Sequence, residues 1–356
     1  MTILLSNDDL DGLVSMTEVI DALDVAHRDL AAGEAVIRRR TEAFAPTDSA
    51  DALYMLATSD AIAPAAGVAV MRVTSGLYAW RMQGGTRRRQ RDATSEEAQP
   101  NRSMRLVFLL STETGEPLAI MPGGGILSVM RLGATNALGA RYLARDQTPV
   151  VAVLGCGNQA AGQLMGLCAV RSVVRVRCYS PTAERRERFA RQWSETLQIP
   201  VDAATSARTA VQGADVVLCA TNTLEPVFFE PWIEPGVHLS SIRGPEIEPA
   251  ALRRVDRLVV YSREALPEQL ASAGVEIPAQ HGDENLSDLG IDLTSLPQLT
   301  DLIDGGSPGR TSEDEVTCFL NPVGTAFQFA TVAEVVYRHA LERGIGRELP
   351  TEWFTQ

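Results

Sequence analysis

The sequence predicts an α/β fold in two parts: an α+β portion with a mostly antiparallel sheet, then a doubly wound parallel sheet. Three observations carry this reading. A strand runs through a glycine turn straight into a small-residue helix at 149–166. Strands and helices alternate from there to about residue 261. Between 53 and 121, strand candidates follow one another without an intervening helix.

Taken in order, residues 8–32 read as a helix with the apolar stripe Val19, Ile20, Leu23 and Ala26, and Gly33 as its stop. Strand candidates follow at 53–57 and 67–74. The polar segment 83–103, with its run Arg87-Arg88-Arg89-Gln90-Arg91, reads as a solvated loop or as an anion-recognising lid. Strands at 105–111 and 117–121 flank a turn at Thr114-Gly115, and a helix from about Ser128 to Ala144 leads to the glycine turn. Beyond it come strand 150–154, helix 158–171, strand 174–179, helix 182–197 and a helical stretch around 205–212. Strands 215–220, 237–242 and 257–261 complete the series, and a Gly/Pro/Ser-rich link at 305–309 precedes a C-terminal helix over 324–343.

The glycine turn is the most informative stretch. Val150, Val151, Val153 and Leu154 form a buried strand that enters Gly155-Cys156-Gly157-Asn158-Gln159-Ala160. Gly155 permits the tight turn, Gly157 lets the backbone approach a pyrophosphate, and Ala160 keeps the helix near the strand. The helix start offers free N–H groups and a positive dipole end to phosphates. Placed between a strand and a helix, G-x-G-x-x-A marks a Rossmann-type dinucleotide site; the competing reading is a structural glycine turn.

Composition excludes several classes. No apolar run reaches the roughly 18–20 residues of a membrane span, and the N-terminus lacks a signal pattern, so a soluble, cytoplasmic protein without a membrane partner is expected. Five scattered cysteines without a C-x-x-C pair read as buried reduced thiols. A net charge of −13 argues against nucleic acid. All 32 basic residues are arginine, which excludes a Schiff base, a pyridoxal phosphate attachment and a P-loop lysine. No metal site is expected.

With these motifs in place, the chain resembles the ornithine cyclodeaminase/mu-crystallin family. The resemblance rests on Met130-Arg131-Leu132-Gly133-Ala134-Thr135, the glycine turn, Ala220-Thr221-Asn222, Gly236-Val237-His238 and the tail from Val323-Gly324 to Gln328. It implies a dinucleotide-binding domain at 128–319 inserted into a discontinuous α+β domain, 1–127 and 320–356, that binds substrate and forms a homodimer. It also implies that Arg131 grips a substrate carboxylate, for which a planar bidentate guanidinium is suited. Arg40 matches a second carboxylate contact, and Thr135, Ser180, Thr182, Thr221 and Asn222 match cofactor contacts.

Departures from the family pattern point away from ornithine. Where many members carry a lysine within 67–74, this chain offers Ala69 and Arg72. The segment after Gly236-Val237-His238 is short, with Glu246 and Glu248 as its nearest carboxylates, and Phe329 stands where many members have an aspartate. The second strand ends in Tyr179-Ser180-Pro181-Thr182, followed by Arg185 and Arg186. Hydroxyls plus a guanidinium suit a ribose 2′-phosphate, so NADP(H) is favoured over NAD(H); otherwise the two arginines are an exposed helix face.

The expected activity is reduction of an imino acid by hydride transfer to its C=N carbon, or amino-acid oxidation in reverse. Arg131, with Arg40 and Arg72, would hold the carboxylate, and Glu246, His238 or a water would handle the proton, although His238 reads more readily as a satisfied structural histidine. The alternatives are a cyclodeaminase-type lyase with tightly bound NAD and a non-catalytic cofactor binder.

Overall fold

The computed structural model describes residues 1–48, 52–83, 86–91, 103–223, 225–243, 246–263, 267–277, 291–322 and 324–354, with backbone alone at 80–83, 86–91 and 293. The chain forms two compact units, one of Met1–Arg131, Glu264–Gln280 and Gly324–Gln356, the other of Leu132–Arg263 and His281–Val323. Among the described residues no helix is long and apolar enough to cross a membrane.

The first unit is built on a mixed, mainly antiparallel sheet of β1 (Thr2–Leu4), β2 (Val36–Ile37), β3 (Thr41–Pro46), β4 (Ala52–Ala63), β5 (Val68–Gln83), β6 (Thr86–Arg91), β7 (Met104–Ser111), β8 (Pro117–Pro122), β15 (Glu268–Ala271) and β17 (Arg347–Leu349). Its main path runs β15-β3-β4-β5-β7-β8-β1-β17, with β2 on β4 and β6 on β5. Residues alternate faces along a strand. Met55, Ala57, Ser59 and Ala61 of β4 are therefore buried, opposite Val70, Arg72 and Thr74 of β5 in the same layer. The C-terminal helix, Ala326–Arg343, packs on β4, β5 and β7, and α1 (Met16–Ala31) packs on that helix.

Two sequence expectations are corrected here. The first helix begins at Met16 rather than near residue 8, because Gly12 adopts φ +64° and Ser15 forms a capping box with Glu18. Within the polar segment 83–103, Thr86–Arg91 form a strand on β5 instead of a loop, although the strand's polar sequence gives no apolar alternation to signal it. Residues 92–102, and with them most of the lid reading, lie outside the described residues.

In the second unit seven parallel strands follow the order β11-β10-β9-β12-β13-β16-β14. These are β9 (Val150–Leu154), β10 (Arg175–Tyr179), β11 (Val201–Ala203), β12 (Val216–Cys219), β13 (His238–Ser241), β14 (Arg257–Val260) and β16 (Thr317–Leu320). Helices α3 (Asn158–Val170), α4 (Ala183–Leu197), α5 (Ala207–Val211) and α6 (Pro249–Arg253) accompany the strands, together with the part of α2 (Gly125–Leu143) that follows Arg131. The central strand β9 is buried on both faces. Val151 and Val153 join one core with Leu164, Phe189 and Trp193, while Ala152 and Leu154 join the other with Phe228 and Leu252. Strand order reverses between β9 and β12, the switch point outside which doubly wound sheets bind ligands at the strands' C-terminal ends. β16, absent from the sequence reading, is inserted between β13 and β14 as a fully buried central strand.

Candidate active site

The glycine turn lies at the switch point of the second unit. Gly155 follows β9 with φ +109°, and a Cβ there would stand 2.2 Å from the carbonyl oxygen of Ala220, just beyond β12. Only glycine fits. At Gly157 an added Cβ would meet nothing within 4 Å, so this residue leaves open space at the start of α3. Gly157 caps α3 without a side-chain hydrogen bond, and Asn158 is exposed while Gln159 is half-buried. The N–H groups of that first turn are thus uncovered by any cap, as an anion site requires. Ala160 is fully buried, and Gly166 on the next turns of α3 has space for no Cβ, which would fall 2.3 Å from the Gly133 carbonyl of α2. These features fit a dinucleotide pyrophosphate.

At the end of β10, Ser180 is nearly buried, and Thr182 and Arg185 are exposed. Arg186 is turned inward instead. Its Nη1 donates to the Ser180 carbonyl at 3.1 Å, and its guanidinium lies 6.0 Å from the Tyr179 ring centroid. Arg186 therefore braces the Ser180-Pro181-Thr182 loop, and Arg185 is the guanidinium presented outward.

Glu246 occupies a different position from that expected of an acid. Its carboxylate is fully buried, with Oε1 accepting from the Thr221 hydroxyl at 2.8 Å and from the Thr221 N–H. Oε2 accepts from the Ser241 hydroxyl at 2.8 Å and from the N–H groups of Ile242 and Arg243, each at 3.1 Å. Burial pushes its pKa up while the bonds from Thr221 and Ser241 pull it down. The side chain ties the segments after β12 and β13 together, and neither oxygen is exposed to a reacting atom. Asn222 beside it is exposed.

His238 is likewise a structural residue. It opens β13 at the N-terminal end of the strand, the opposite edge of the sheet from the glycine turn. The Thr317 hydroxyl donates to the Leu143 carbonyl at 2.8 Å and so accepts from His238 Nδ1 at 2.9 Å. Burial, with the charges of Arg310 and Arg171, lowers its pKa to about 3. Thr135, on α2, is fully buried.

The first unit brings Arg72 and Arg131 together. Their guanidinium carbons lie 4.6 and 4.9 Å from the centroid of one buried ring, Phe329 of the C-terminal helix. Arg131 Nη1 donates to Gln328 Oε1 at 2.7 Å. A Cβ at Gly324 would lie 1.9 Å from the same Nη1, so the chain at Gly324 approaches the guanidinium as only glycine can. Arg40 has a protein partner: its Nη2 is 2.8 Å from Oε1 of the fully buried Glu42 side chain, whose other oxygen accepts from Gln269 at 3.2 Å. The sequence reading missed Glu42 and the cradle that Gly324, Gln328 and Phe329 make for Arg131. Gln328, a lone amide among the apolar residues that open the C-terminal helix, was the available signal.

The sequence profile described as the ornithine cyclodeaminase/mu-crystallin family matches residues 82–344. The chain belongs to that family. A Delta(1)-pyrroline-2-carboxylate reductase of Bacillus cereus is 32% identical over 249 residues, covering 68% of this chain and 73% of its own. The Thermococcus litoralis Delta(1)-pyrroline-2-carboxylate reductase, solved with NADH and L-proline, superposes with a TM-score of 0.81 at 27% identity over 98% of this chain and 100% of its own. An archaeal alanine dehydrogenase dimer with bound NAD gives 0.79 at 26% identity, covering 98% and 99% of the two chains. As a member of the ornithine cyclodeaminase/mu-crystallin family, this chain departs from the pattern stated above at Arg72 and Phe329, and the two departures are in contact with each other.

Proposed function

We propose that the protein is a nicotinamide-dependent reductase of imino acids, acting in reverse as an amino-acid dehydrogenase. The reading is carried by two features together, a glycine turn built for a dinucleotide and Arg131 held so close to Gly324 that a Cβ there would displace its guanidinium. The dinucleotide supplies the hydride when bound. Gly155, Gly157, Asn158, Gln159 and Ala160 hold its pyrophosphate, and Thr135, Thr221 and Asn222 belong to the same cofactor site. Arg131 and Arg72 neutralise the substrate carboxylate and fix the orientation of the C=N carbon, a contribution of position and charge rather than proton transfer. Arg40 supports them with its charge largely offset by Glu42. Glu246 acts by positioning the segments it bonds, and the proton added at nitrogen comes from water.

In this reading a domain within 128–319, less the segment Glu264–Gln280 that belongs to the first unit, binds the cofactor, while the discontinuous domain, 1–127 with 320–356, binds substrate and forms a homodimer. The outer face of its sheet supports the homodimer: Leu56, Ile62 and Met71 lie on that face and remain 38%, 41% and 41% exposed. NADP(H) is preferred over NAD(H), on the exposed Thr182 and Arg185 and the absence of an acid at the end of β10. Arg185→Ala is expected to weaken NADPH binding about tenfold or more, the worth of a charge-assisted bond to phosphate, and to leave NADH unchanged. Equal losses for both cofactors in a fluorescence titration would place Arg185 elsewhere.

The test of the function is consumption of NADPH and NADH against 2-keto acids with ammonia or methylamine, and against cyclic imino acids. Consumption with one imine-forming set establishes the reductase. Silence across the panel, with NAD released only on denaturation, would instead support a lyase.

A further inference from the structure

Three side-chain amides are joined in series within the second unit. Gln163 Nε2 donates to the Cys219 carbonyl at 3.0 Å, Asn136 Nδ2 donates to Gln163 Oε1 at 2.8 Å, and Asn321 Nδ2 donates to Asn136 Oδ1 at 2.8 Å. Ser240 joins the middle of the series, accepting from Asn136 Nδ2 at 3.0 Å and donating to Gln163 Oε1 at 3.2 Å. All four side chains are at most 4% exposed. Donor and acceptor counting fixes every orientation. A main-chain carbonyl can only accept, so Gln163 must turn its NH2 to Cys219 and its oxygen to Asn136. Asn136 must then turn its oxygen to Asn321, and Asn321 is left with its own oxygen at the end of the series. That atom, Asn321 Oδ1, is buried and has no hydrogen-bond partner among the described residues. Amides aligned in series polarise one another, which strengthens the terminal acceptor.

Strand register says where this acceptor stands. Leu154 pairs with Cys219, Cys219 with Ser241, and Ser241 with Leu320. The four residues form one row across β9, β12, β13 and β16, all at the C-terminal ends of parallel strands. Gly155 of the glycine turn follows the first and Asn321 follows the last, and three strand spacings separate them, ~14 Å. A buried neutral acceptor at this edge repels anions and cannot replace the water a cation would have to shed, so it suits a neutral N–H or O–H donor, and the carboxamide N–H of a nicotinamide is one.

We propose that Asn321 Oδ1 receives the N–H of the nicotinamide carboxamide, with Gln163 and Asn136 as the positioning residues that hold it in the accepting orientation. The proposal rests on the dinucleotide reading above. Binding, rather than turnover, tests it. Titration calorimetry on the wild-type chain would compare NADH with its reduced thionicotinamide analogue, which keeps the NH2, and its reduced 3-acetylpyridine analogue, which replaces NH2 with methyl. The expected result is similar affinity for the first two and about tenfold weaker binding of the third. Asn321→Leu should bind NADH and the acetylpyridine analogue within twofold of each other. ADP-ribose, which lacks the ring, should bind both proteins alike. Wild-type binding of the acetylpyridine analogue as tightly as NADH, or a tenfold preference that survives in Asn321→Leu, would overturn the proposal while leaving the dinucleotide site standing. Failure of the wild type to bind NADH, NADPH and ADP-ribose alike would overturn both.

Discussion

Gly324 and Arg131 bear the account at the scale of single residues. The atom that a Cβ at Gly324 would strike is the far end of a flexible side chain, so Gly324→Ala should displace the guanidinium at little cost in stability. A KM rise with near-normal Tm and cofactor affinity is expected. Arg131→Ala removes the charge altogether and should lower kcat/KM by ~10–100-fold, the worth of a charge-assisted pair. Steady-state kinetics with cofactor titrations check both, and normal turnover in Arg131→Ala would remove it from the site. Arg131 was legible from its motif, and its neighbours Gln328 and Phe329 were visible as residues but not as its cradle. Contacts between a helix near 131 and one near 328 depend on tertiary packing, to which local periodicity is blind. His238 reads from the sequence as a structural histidine and is one, whereas Glu246 was legible only as a chemistry-bearing residue, and its burial, by which it holds structure instead of moving a proton, was not.

At the scale of elements, the second unit was read most closely because its strands are short, apolar and bounded by turns, and β9 matches the sequence reading at both ends. The sequence places the first helix too early because Leu10 and Leu13 extend its apolar spacing with no breaker in residues 8–15 other than Gly12. Its true start is set by hydrogen bonds: Ser15 Oγ accepts from the Glu18 N–H at 3.2 Å and the Glu18 carboxylate accepts from the Ser15 N–H at 2.8 Å. Ser15→Ala breaks this box and is expected to cost about 1 kcal/mol. Denaturant unfolding would show it as a lowered midpoint at constant m, and an unchanged midpoint would mean that packing alone fixes the helix start. β16, Thr317–Leu320, is not legible because it follows the polar stretch 310–315 instead of a recognisable helix, outside the strand–helix alternation that signals the other strands. Its place between β13 and the edge strand β14 comes from strand order, which sequence periodicity does not encode.

The whole molecule carries a pH dependence set by buried imidazoles. His27 lies edge-on to Phe327 at 5.3 Å between centroids, and burial lowers its pKa to about 4; His238 is lowered to about 3. In the folded chain both stay neutral while the unfolded chain takes up protons below its ordinary imidazole pKa of ~6.5. The unfolded state then binds more protons, so stability is lost as pH falls from that value toward 4 and 3. At ~1.4 kcal/mol per pKa unit the two together amount to several kcal/mol. Glu246 works in the opposite sense, since a raised folded pKa gives stability that is lost as pH rises through it. Urea midpoints at pH 7 and pH 4.5 should therefore fall on acidification, and a His27→Leu chain should fall less. Equal slopes in the two proteins would mean that His27 is not held neutral.

The central claim, that the dinucleotide delivers hydride to the C=N carbon of a carboxylate-bearing imine, is tested most directly by isotope transfer. The protein would be incubated with NADPH deuterated at the nicotinamide C4 position, both faces labelled, and Δ1-pyrroline-2-carboxylate or an acyclic imine formed in solution. Mass spectrometry of the product should then show one deuterium at the α-carbon of the reduced amino acid, with oxidised cofactor in equal amount. An amino acid without label, or none formed by any imine of the panel while the cofactor stays bound, would contradict the account.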